Sequence, residues 1–462
     1  MPRRILLCLQ SYPHPSSDRD AEGRHGRKPV AEWKANPRWQ GHPFKRPAEG
    51  GWVENREIGR RRGWRLRLSL SLRLRLSVGL KFRESAEMSP FAQQMVQLQR
   101  MAVWNHRSKN MDASLWSNLP EDLVDRVLAC LSLPTFYRFR TVCKRWNSLI
   151  TSPSFLQCWS EMATECPWLL MIKRRDNRLC PAYDSLLSKW HAVSLNFLPL
   201  QATEVVATCE GLLCLRAEVS GSLFVCNPLT KRWRELPTML MKNQARGIVG
   251  MTVNKATKCY KIIVAGSNSD LYDRKTEVYD SATDSWKRSG DLPARTDLRP
   301  EYAVCLGSMY FTTSEPFSLL AFNIAEDVWR KVEVPMPCSL TCSRLLVNNG
   351  ILVLVGGVGK NGISRSFCIW KLEKETMEWQ ECERMPDYLC RKFLAMCYHN
   401  YEHISCIGHM DLICLASFSW PETLVYDASL KSWHWLPRCP LTPLQSGGFS
   451  WLSFQPRLDA AV

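Results

Sequence analysis

The first pattern that stands out is a run of apolar residues at helical spacing, beginning at Leu119-Pro120. Pro120 suits a first helical turn, where its missing N–H costs nothing. Glu121 and Asp122 would then lie near the positive end of the helix dipole. The apolar positions that follow recur at i, i+4, i+5 and i+8 and are predicted to share one face: Leu123, Val127, Leu128 and Leu131.

A second helix is predicted from Leu133-Pro134, which breaks the first, to Ser152-Pro153. Its apolar residues step by three and four and are also predicted to share one face: Phe136, Phe139, Cys143, Trp146 and Ile150. A unit of roughly 40 residues rarely buries enough surface to be stable alone. Periodicity leaves two interpretations open, a helical subdomain packed on its neighbour and a docking surface for another protein.

The pattern changes from about residue 168 to the end of the chain. Short β-rich runs are separated by Gly, Pro, Asn, Asp and Ser, as in Ser222–Pro228 and Ile351–Gly357, and helical periodicity is absent. This pattern is typical of an all-β barrel, sandwich or propeller.

A tryptophan repeat favours the propeller. Six residues before each tryptophan lies an acid or amide, which can bond its own backbone and start a turn. An apolar or aromatic residue precedes that position, and a proline follows each tryptophan within nine residues. The tryptophan is predicted to anchor the next strand between neighbouring sheets. Full burial of each tryptophan would stabilise the fold by at most ~4–6 kcal/mol. A period near 50 with four short strands predicts six propeller blades, anchored by Trp190, Trp233, Trp286, Trp329, Trp379 and Trp433.

A propeller must close into a ring. The first unit, around 168–195, looks one strand short, and residues 447–454 form a lone strand with no tryptophan repeat after them. The lone strand is therefore predicted to complete the first blade.

The helical stretch resembles the F-box. The residues that carry the resemblance are Leu119-Pro120, Val127-Leu128, Leu133-Pro134 and Val142–Trp146. Proteins of that family bind the Skp-type adaptor of cullin-based ubiquitin ligases, so the resemblance implies an adaptor and, through it, a cullin as partners. The residues expected to form or support the adaptor interface are Leu119, Pro120, Leu123, Val127, Leu128, Leu131, Leu133, Pro134, Cys143 and Trp146.

The β region resembles plant F-box/kelch-repeat proteins. Cys209–Leu215 and Asn227–Pro237 resemble F-box-associated propeller domains, whereas the kelch double glycine is clear only at Gly356-Gly357. The kelch and F-box-associated blade types both stay open. An unknown protein target is expected to bind variable propeller loops, which include Lys242–Arg246, Asn268–Arg274, Arg295–Pro300, Gly359–Ser364 and Arg438–Gln445.

The expected fold is therefore an α+β multidomain chain, a small all-α F-box followed by an all-β propeller of six blades. The predicted segments are a basic, largely disordered extension (1–111), the F-box (112–152), a helical linker (153–167), the propeller (168–455) and a tail (456–462). Residues 1–87 hold 20 Lys and Arg against 9 Asp and Glu, so most of the net charge of +17 lies there and nucleic-acid binding by the folded part is not expected. Three hypotheses fit residues 1–87: a basic tail with a nuclear address at 60–62, a transit peptide, and sequence upstream of a functional start at Met88 or Met111.

No catalytic motif is present, and neither enzyme activity nor a cofactor is expected. One cluster has metal-like composition: Cys397, His399, His403 and Cys406. Its spacing fits a strand–turn–strand with the thiols in the core better than a zinc site, so no metal is predicted. The 20 cysteines are scattered singly, which suits a reducing compartment. With no run long enough for a membrane helix, the sequence predicts no membrane association and a location in the nucleus, the cytoplasm or both.

Overall fold

The computed structural model describes residues 119–162, 166–173, 178–240, 247–266, 274–294, 296–397, 401–442 and 448–462. The predicted N-terminal extension, 1–111, lies outside these residues. The helices near the start are α1 (Glu121–Ala129), α2 (Leu133–Phe139), α3 (Lys144–Ser148), a 3₁₀ turn (Leu149–Thr151) and α4 (Pro153–Met162).

The predicted second helix is in fact two helices. Cys143 has an extended backbone, with φ −152°, and interrupts the helix between α2 and α3. Its Sγ accepts a hydrogen bond from the backbone N–H of Trp146 at 3.4 Å and so caps α3. The prediction of one shared apolar face is wrong: Phe136 is fully buried, whereas Phe139 at the end of α2 is exposed, and Cys143 beyond it lies outside both helices and is exposed.

The prediction of a shared face is also wrong for α1. Leu123 and Val127 are exposed, whereas Leu128 is buried and Leu131 lies beyond the helix. At 100° per residue, the buried Leu128 is rotated by about 100° from Val127 and by about 140° from Leu123, so the exposed pair points away from the buried side. Pro120 is the N-cap residue, one position before the first turn.

The β region forms six four-stranded antiparallel sheets, which we call blades 1–6, with strands a–d from the inside outward. Blade 1 is β24 (Phe449–Phe454), β1 (Trp168–Lys173), β2 (Leu179–Asp184) and β3 (Lys189–Ser194); blade 2 is β4 (Ala202–Cys209), β5 (Leu212–Ala217), β6 (Leu223–Asn227) and β7 (Arg232–Glu235); blade 3 is β8 (Ile248–Val253), β9 (Tyr260–Ala265), β10 (Thr276–Asp280) and β11 (Ser285–Arg288). Blade 4 is β12 (Leu298–Cys305), β13 (Ser308–Thr313), β14 (Leu319–Asn323) and β15 (Val328–Val332); blade 5 is β16 (Leu340–Asn348), β17 (Ile351–Lys360), β18 (Ile363–Glu373) and β19 (Glu378–Arg384); blade 6 is β20 (Ile404–His409), β21 (Leu412–Ser417), β22 (Trp420–Asp427) and β23 (Ser432–Trp435).

The ring is closed by the C-terminal strand. β24 pairs antiparallel with β1 from Trp168↔Phe454 to Lys173↔Phe449, which confirms that a C-terminal strand supplies the missing strand of blade 1 and bounds it at residues 449–454. The innermost strands of neighbouring blades lie against one another all round, ending with β20 against β24 and β24 against β4. The chain therefore forms the predicted six-bladed propeller.

The tryptophan repeat marks the turn between strands c and d. In every blade the tryptophan lies on strand d, directly opposite the residue seven positions earlier, as in Tyr279↔Trp286 and Cys226↔Trp233. The predicted turn chemistry is confirmed in five blades, where a side-chain oxygen accepts a backbone N–H two or three residues on: Asp184, Asn227, Asp280, Asn323 and Asp427. The residue two before each tryptophan has a positive φ, which completes the reversal: Ser188, Lys231, Asp284, Asp327, Met377 and Lys431.

The tryptophans are less buried than expected. Trp286 is 7% exposed but Trp233 is 42% exposed, because strand d is the outermost strand of each blade. Their stabilisation therefore falls below the upper bound for full burial. Two of them link blades through the repeat proline: the indole N–H of Trp190 donates to the carbonyl of Pro437 at 2.9 Å, and that of Trp286 to Pro237 at 2.7 Å.

A helix, α5 (Asp387–Met396), and a 3₁₀ turn (Tyr401–His403) join blades 5 and 6. The expectation of no helix in the β region is therefore wrong. The helix buries Leu389, Cys390, Phe393 and Leu394, which recur at helical spacing over only ten residues. The strand–turn–strand interpretation fails for the first half of the metal-like cluster, because Cys397 caps α5 rather than lying in a strand.

Acid should weaken the seam between blades 6 and 1. His409, 2% exposed, lies 3.0 Å from the hydroxyl of Ser185 through Nε2. Burial lowers the pKa of His409 from 6.5 to about 4. The unfolded chain therefore binds more protons between these values, and stability present above pH 6.5 is lost as the pH falls towards 4. This histidine contributes up to roughly 3 kcal/mol of that loss.

The measurement is urea unfolding at pH 7 and pH 4.5 of the wild type and of His409→Gln, whose amide can still bond Ser185. The variant should lose less stability than the wild type on acidification. Equal losses would show that His409 does not titrate with folding.

Candidate functional site

The helical unit has a buried side that packs on the propeller. Leu128, Phe136, Phe155 and Trp159 belong to one apolar cluster that continues into blades 1 and 2, where it includes Trp168, Phe224 and Phe454. Phe136 stacks on Phe155 with ring centroids 5.1 Å apart. The helices therefore bury one side within this chain, as the first of the two interpretations anticipates.

A hydrogen bond fixes where α2 sits. The phenol of Tyr137 donates to the carbonyl of Leu229 at 2.5 Å. Leu229 lies in the c–d turn of blade 2, between β6 and β7. Burial raises the pKa of Tyr137 to about 12, so the phenol keeps the proton that it donates.

The opposite side of the helices exposes apolar side chains to solvent. Leu123 and Val127 of α1 are about 40% exposed, at 40% and 42%, and Val142 in the turn before α3 is 64% exposed. Phe139 is also exposed, and the centroid of its ring lies 5.6 Å from that of Trp146. We call this set, with Pro120 and Cys143, the helical surface.

Ion pairs hold α3 beside α1 and so bring the two halves of the helical surface together. The guanidinium of Arg145 contacts the carboxylate of Asp125 at 2.7 Å and that of Glu121 at 3.5 Å. A second arginine, Arg140, donates to Asn147 at 3.1 Å across the intervening turn. These ion pairs and this hydrogen bond therefore hold in place the helices that carry the exposed apolar side chains.

The ten residues expected at the adaptor interface fall into three groups. Pro120, Leu123, Val127 and Cys143 are exposed; Leu119, Leu131, Pro134 and Trp146 are partly buried; Leu128 and Leu133 are buried. The first group is available for direct contact, and the buried pair holds the helices in place. Two exposed residues were missed, Phe139 and Val142. Phe139 ends α2 and Val142 lies in the turn that follows, and the end of the helix at this point has no clear signal in the sequence.

The turns of the propeller lie at two opposite ends. Because the strands of each blade alternate in direction, the a–b and c–d turns lie at one end, and the b–c turns and the connections between blades lie at the other, which we call the loop end. α2 contacts a c–d turn. The C-terminal segment, 455–462, covers the same end: the Asn227 amide donates to the carbonyl of Arg457 at 2.9 Å, and Asp459 pairs with Lys258 at 2.9 Å.

Among the loops predicted to bind a target, Gly359–Ser364 is a b–c turn at the loop end. Arg274, residues 296–300 and residues 438–442, which are the described parts of three other predicted loops, also lie at this end. Residues 242–246, 268–273, 295 and 443–445 are outside the described part of the chain. The helical surface and the loop end thus belong to opposite ends of the structure.

The described members of the metal-like cluster, Cys397, His403 and Cys406, do not form a metal site. Cys397 and Cys406 are buried, and Nδ1 of His403 lies 3.1 Å from the hydroxyl of Ser419; His399 is outside the described residues. Within the described segments, no group of three or more His, Cys, Asp and Glu side chains is placed to hold a metal. Burial raises the pKa of thiols such as Cys214 and Cys414 to about 12, so they stay protonated and unreactive.

No disulfide joins the cysteines of the described segments. Among the helices of these same segments, none has the length and apolarity that a membrane span requires.

Known protein families match both parts of the chain. The F-box domain family matches residues 116–158, and the family described as an F-box associated beta propeller domain matches residues 184–407. The second match favours the F-box-associated description of the blades, which the sequence left open against kelch.

Several curated plant proteins are similar over most of their length. An F-box/kelch-repeat protein of Arabidopsis thaliana is 34% identical over 76% of this chain and 90% of its own, and another from the same plant is 30% identical over 75% and 91%. The Arabidopsis protein named SKP1-interacting partner 15 is 25% identical over 71% and 95%. On these similarities, the chain belongs to the F-box/kelch-repeat family, with an F-box domain followed by an F-box-associated β-propeller.

Proposed function

We propose that this chain is the substrate-recognition subunit of an SCF-type (Skp–cullin–F-box) E3 ubiquitin ligase. The helical surface binds a Skp-type adaptor and, through it, a cullin. The loop end of the propeller binds a target protein for ubiquitination. The chain has no active site of its own in this proposal, since the transfer chemistry belongs to other subunits.

One observation carries the proposal: exposed apolar side chains stand on the F-box helices while their other side is already buried on the propeller. Burial of Leu123, Val127 and Val142 in an interface would stabilise the complex by about 25 cal/mol per Å² of apolar area removed from water. The name of the relative SKP1-interacting partner 15 supports an adaptor of the Skp type as the protein that covers them.

The position of the loop end supports target binding there. The opposite end is occupied by α2 and by residues 455–462, so a target on the loop end would not compete with the adaptor. Loops on a rigid scaffold are where recognition residues concentrate. We further propose that the protein works in the nucleus, the cytoplasm or both, in line with its scattered cysteines.

The test is a comparison of cells that express the full wild-type chain or Leu123→Asp with Val127→Asp. Deleting the F-box would uncover the apolar cluster beneath it, so surface substitutions are the cleaner change. A target should be held by both chains, but it should be ubiquitinated and short-lived only with the wild type.

The second candidate function is a propeller scaffold without a role in degradation. If no bound protein changes in ubiquitination or lifetime between the two chains, although the wild type binds the adaptor, the scaffold function is the correct one. Absence of adaptor binding by the wild type would remove the ligase proposal altogether.

A further inference from the structure

Blade 5 carries a β-hairpin that extends well beyond the strands of its neighbours. Strand c of blade 5 runs nine residues from Leu372, the partner of the repeat tryptophan, back to Ile363. In the neighbouring blades the same strand runs three residues in blade 4, from Phe322 to Leu319, and six in blade 6, from Tyr426 to Trp420. At ~3.3 Å per residue the hairpin extends roughly 20 Å beyond blade 4 and roughly 10 Å beyond blade 6, directed away from the F-box.

The backbone of this hairpin is tightly specified. Its tip, Asn361-Gly362, has two positive φ values, 53° and 71°, which fit a two-residue turn of type I′. A Cβ at Gly359 would lie 1.8 Å from the carbonyl oxygen of Ile363, so only glycine allows the strands to approach. Pairing shifts between Val358 and Gly359, which leaves Arg365 as the extra residue of a bulge. Bulges re-aim side chains and are frequent beside functional sites.

α5 supports the hairpin from the side. The rings of Phe393 and Phe367 meet edge to face with centroids 5.8 Å apart. The thiol of Cys390 donates to the carbonyl of Arg365 at 3.6 Å, and the phenol oxygen of Tyr401 accepts the backbone N–H of Ser364 at 2.6 Å. We call residues 358–366 together with α5 the blade-5 ridge.

The exposed side of the ridge is basic. Lys360, Arg365, Arg391 and Lys392 are exposed, and none of the four forms an ion pair with a described residue. Lys392 lies over the ring of Trp435, 4.4 Å from its centroid, which fixes the position of that charge. Asp387 is the one carboxylate on the exposed side of α5 within the described residues. Four positive charges therefore face solvent with little local compensation.

Apolar groups lie among these charges. Ile363, beside the hairpin tip, is 56% exposed, and Tyr388 on α5 is 66% exposed. A surface that combines fixed cations with an exposed aliphatic and an exposed aromatic side chain complements a peptide with both acidic and apolar residues. Nucleic acid fits less well, because its affinity depends on contacts with many phosphates and Asp387 would oppose it.

We propose that the blade-5 ridge binds an acidic segment of the target protein, with carboxylates on Lys360, Arg365, Arg391 and Lys392 and apolar side chains against Ile363 and Tyr388. This inference rests on the proposed function and names the region of the loop end that recognises the target, together with the chemistry of what it takes.

The test is fluorescence anisotropy of the full chain with a labelled peptide of about 12 residues, Asp-Glu-Asp-Phe repeated. The ridge variant replaces Lys360, Arg365, Arg391 and Lys392 with Gln. Its affinity should fall at least tenfold, since each exposed pair contributes a fraction of a kcal/mol. The matched control makes the same change in charge at c–d turns, at Lys189, Arg232, Lys374 and Lys431, which are all exposed. Its affinity should stay near that of the wild type.

Three results would overturn the proposal. The wild type could fail to bind the peptide, the two variants could lose affinity equally, or single-stranded DNA of about 20 nucleotides could bind the ridge more tightly than the peptide. The last result would make the ridge a nucleic-acid surface.

Adaptor capture, measured on the same chains, should be equal in wild type and ridge variant. Its absence from the wild type would contradict the proposed ligase function while leaving the peptide result to stand by itself.

Discussion

Deletion of residues 447–462 should leave the chain without a cooperatively folded propeller. The deletion removes β24, the innermost strand of blade 1, and with it the pairing to β1 and the contacts that close the ring. Phe449, Trp451 and Phe454 are at most 3% exposed. Loss of one such aromatic side chain costs ~3–5 kcal/mol, so loss of three approaches or exceeds the whole stability of a typical domain, ~5–15 kcal/mol. The edge of β1 would be left open to aggregation.

Limited proteolysis and thermal unfolding of the truncated chain provide the measurement. The control is a chain that ends at Phe454 and keeps β24. It loses the buried Leu458 and the ion pair of Asp459 with Lys258, and should unfold at a lower temperature but still cooperatively. A chain truncated before Gly447 that resists protease as well as the full chain would show that the propeller does not depend on β24.

Replacement of Leu123 and Val127 by Asp should abolish capture of a Skp-type adaptor, with an affinity loss of at least 100-fold. Both side chains are exposed, so the fold should tolerate the change apart from a few tenths of a kcal/mol of repulsion along α1. Two carboxylates buried without partners at an apolar interface are costly. The measurement is adaptor capture by the purified full-length variant, with its melting temperature determined in parallel.

The matched control for this pair is Leu200→Asp with Val219→Asp. These two apolar side chains are 83% and 97% exposed on the propeller, and their replacement should leave adaptor capture intact. Leu128→Ala gives the complementary contrast. Because Leu128 is buried against the propeller, this change should destabilise the fold by ~2–5 kcal/mol. Undiminished capture by the Leu123/Val127 variant would exclude the helical surface as the adaptor site.

The propeller could be predicted because the residues of its repeat are close together in sequence and belong to one short turn. The acid or amide, the positive-φ residue and the tryptophan belong to one turn of a few residues, so their spacing survives in each blade, as at Asp280, Asp284 and Trp286. Closure by β24 followed from counting strands. The depth of burial did not follow, because sequence spacing does not tell the inner strand from the outer, and Trp233 on strand d remains largely exposed.

The helical surface was predicted only in part. A continuous helical period was assumed through Cys143, whereas α2 ends at Phe139 and the backbone of Cys143 is extended, so Val142 lies in an exposed turn. α5 was missed because its four buried residues occupy a single short helix within a β-rich region. The basic ridge depends on contacts far apart in sequence, such as Tyr401 with Ser364, and no local pattern encodes them.

Amide hydrogen exchange of the full chain, alone and with a Skp-type adaptor, locates the adaptor site in one experiment. The adaptor should protect α1, α2 and α3 (residues 121–148), while the strands and hairpins of the loop end, including residues 358–366, should exchange as they do in the chain alone. Protection at the loop end, or no protection in the three helices, would contradict an adaptor bound at one end of the molecule and a target bound at the other.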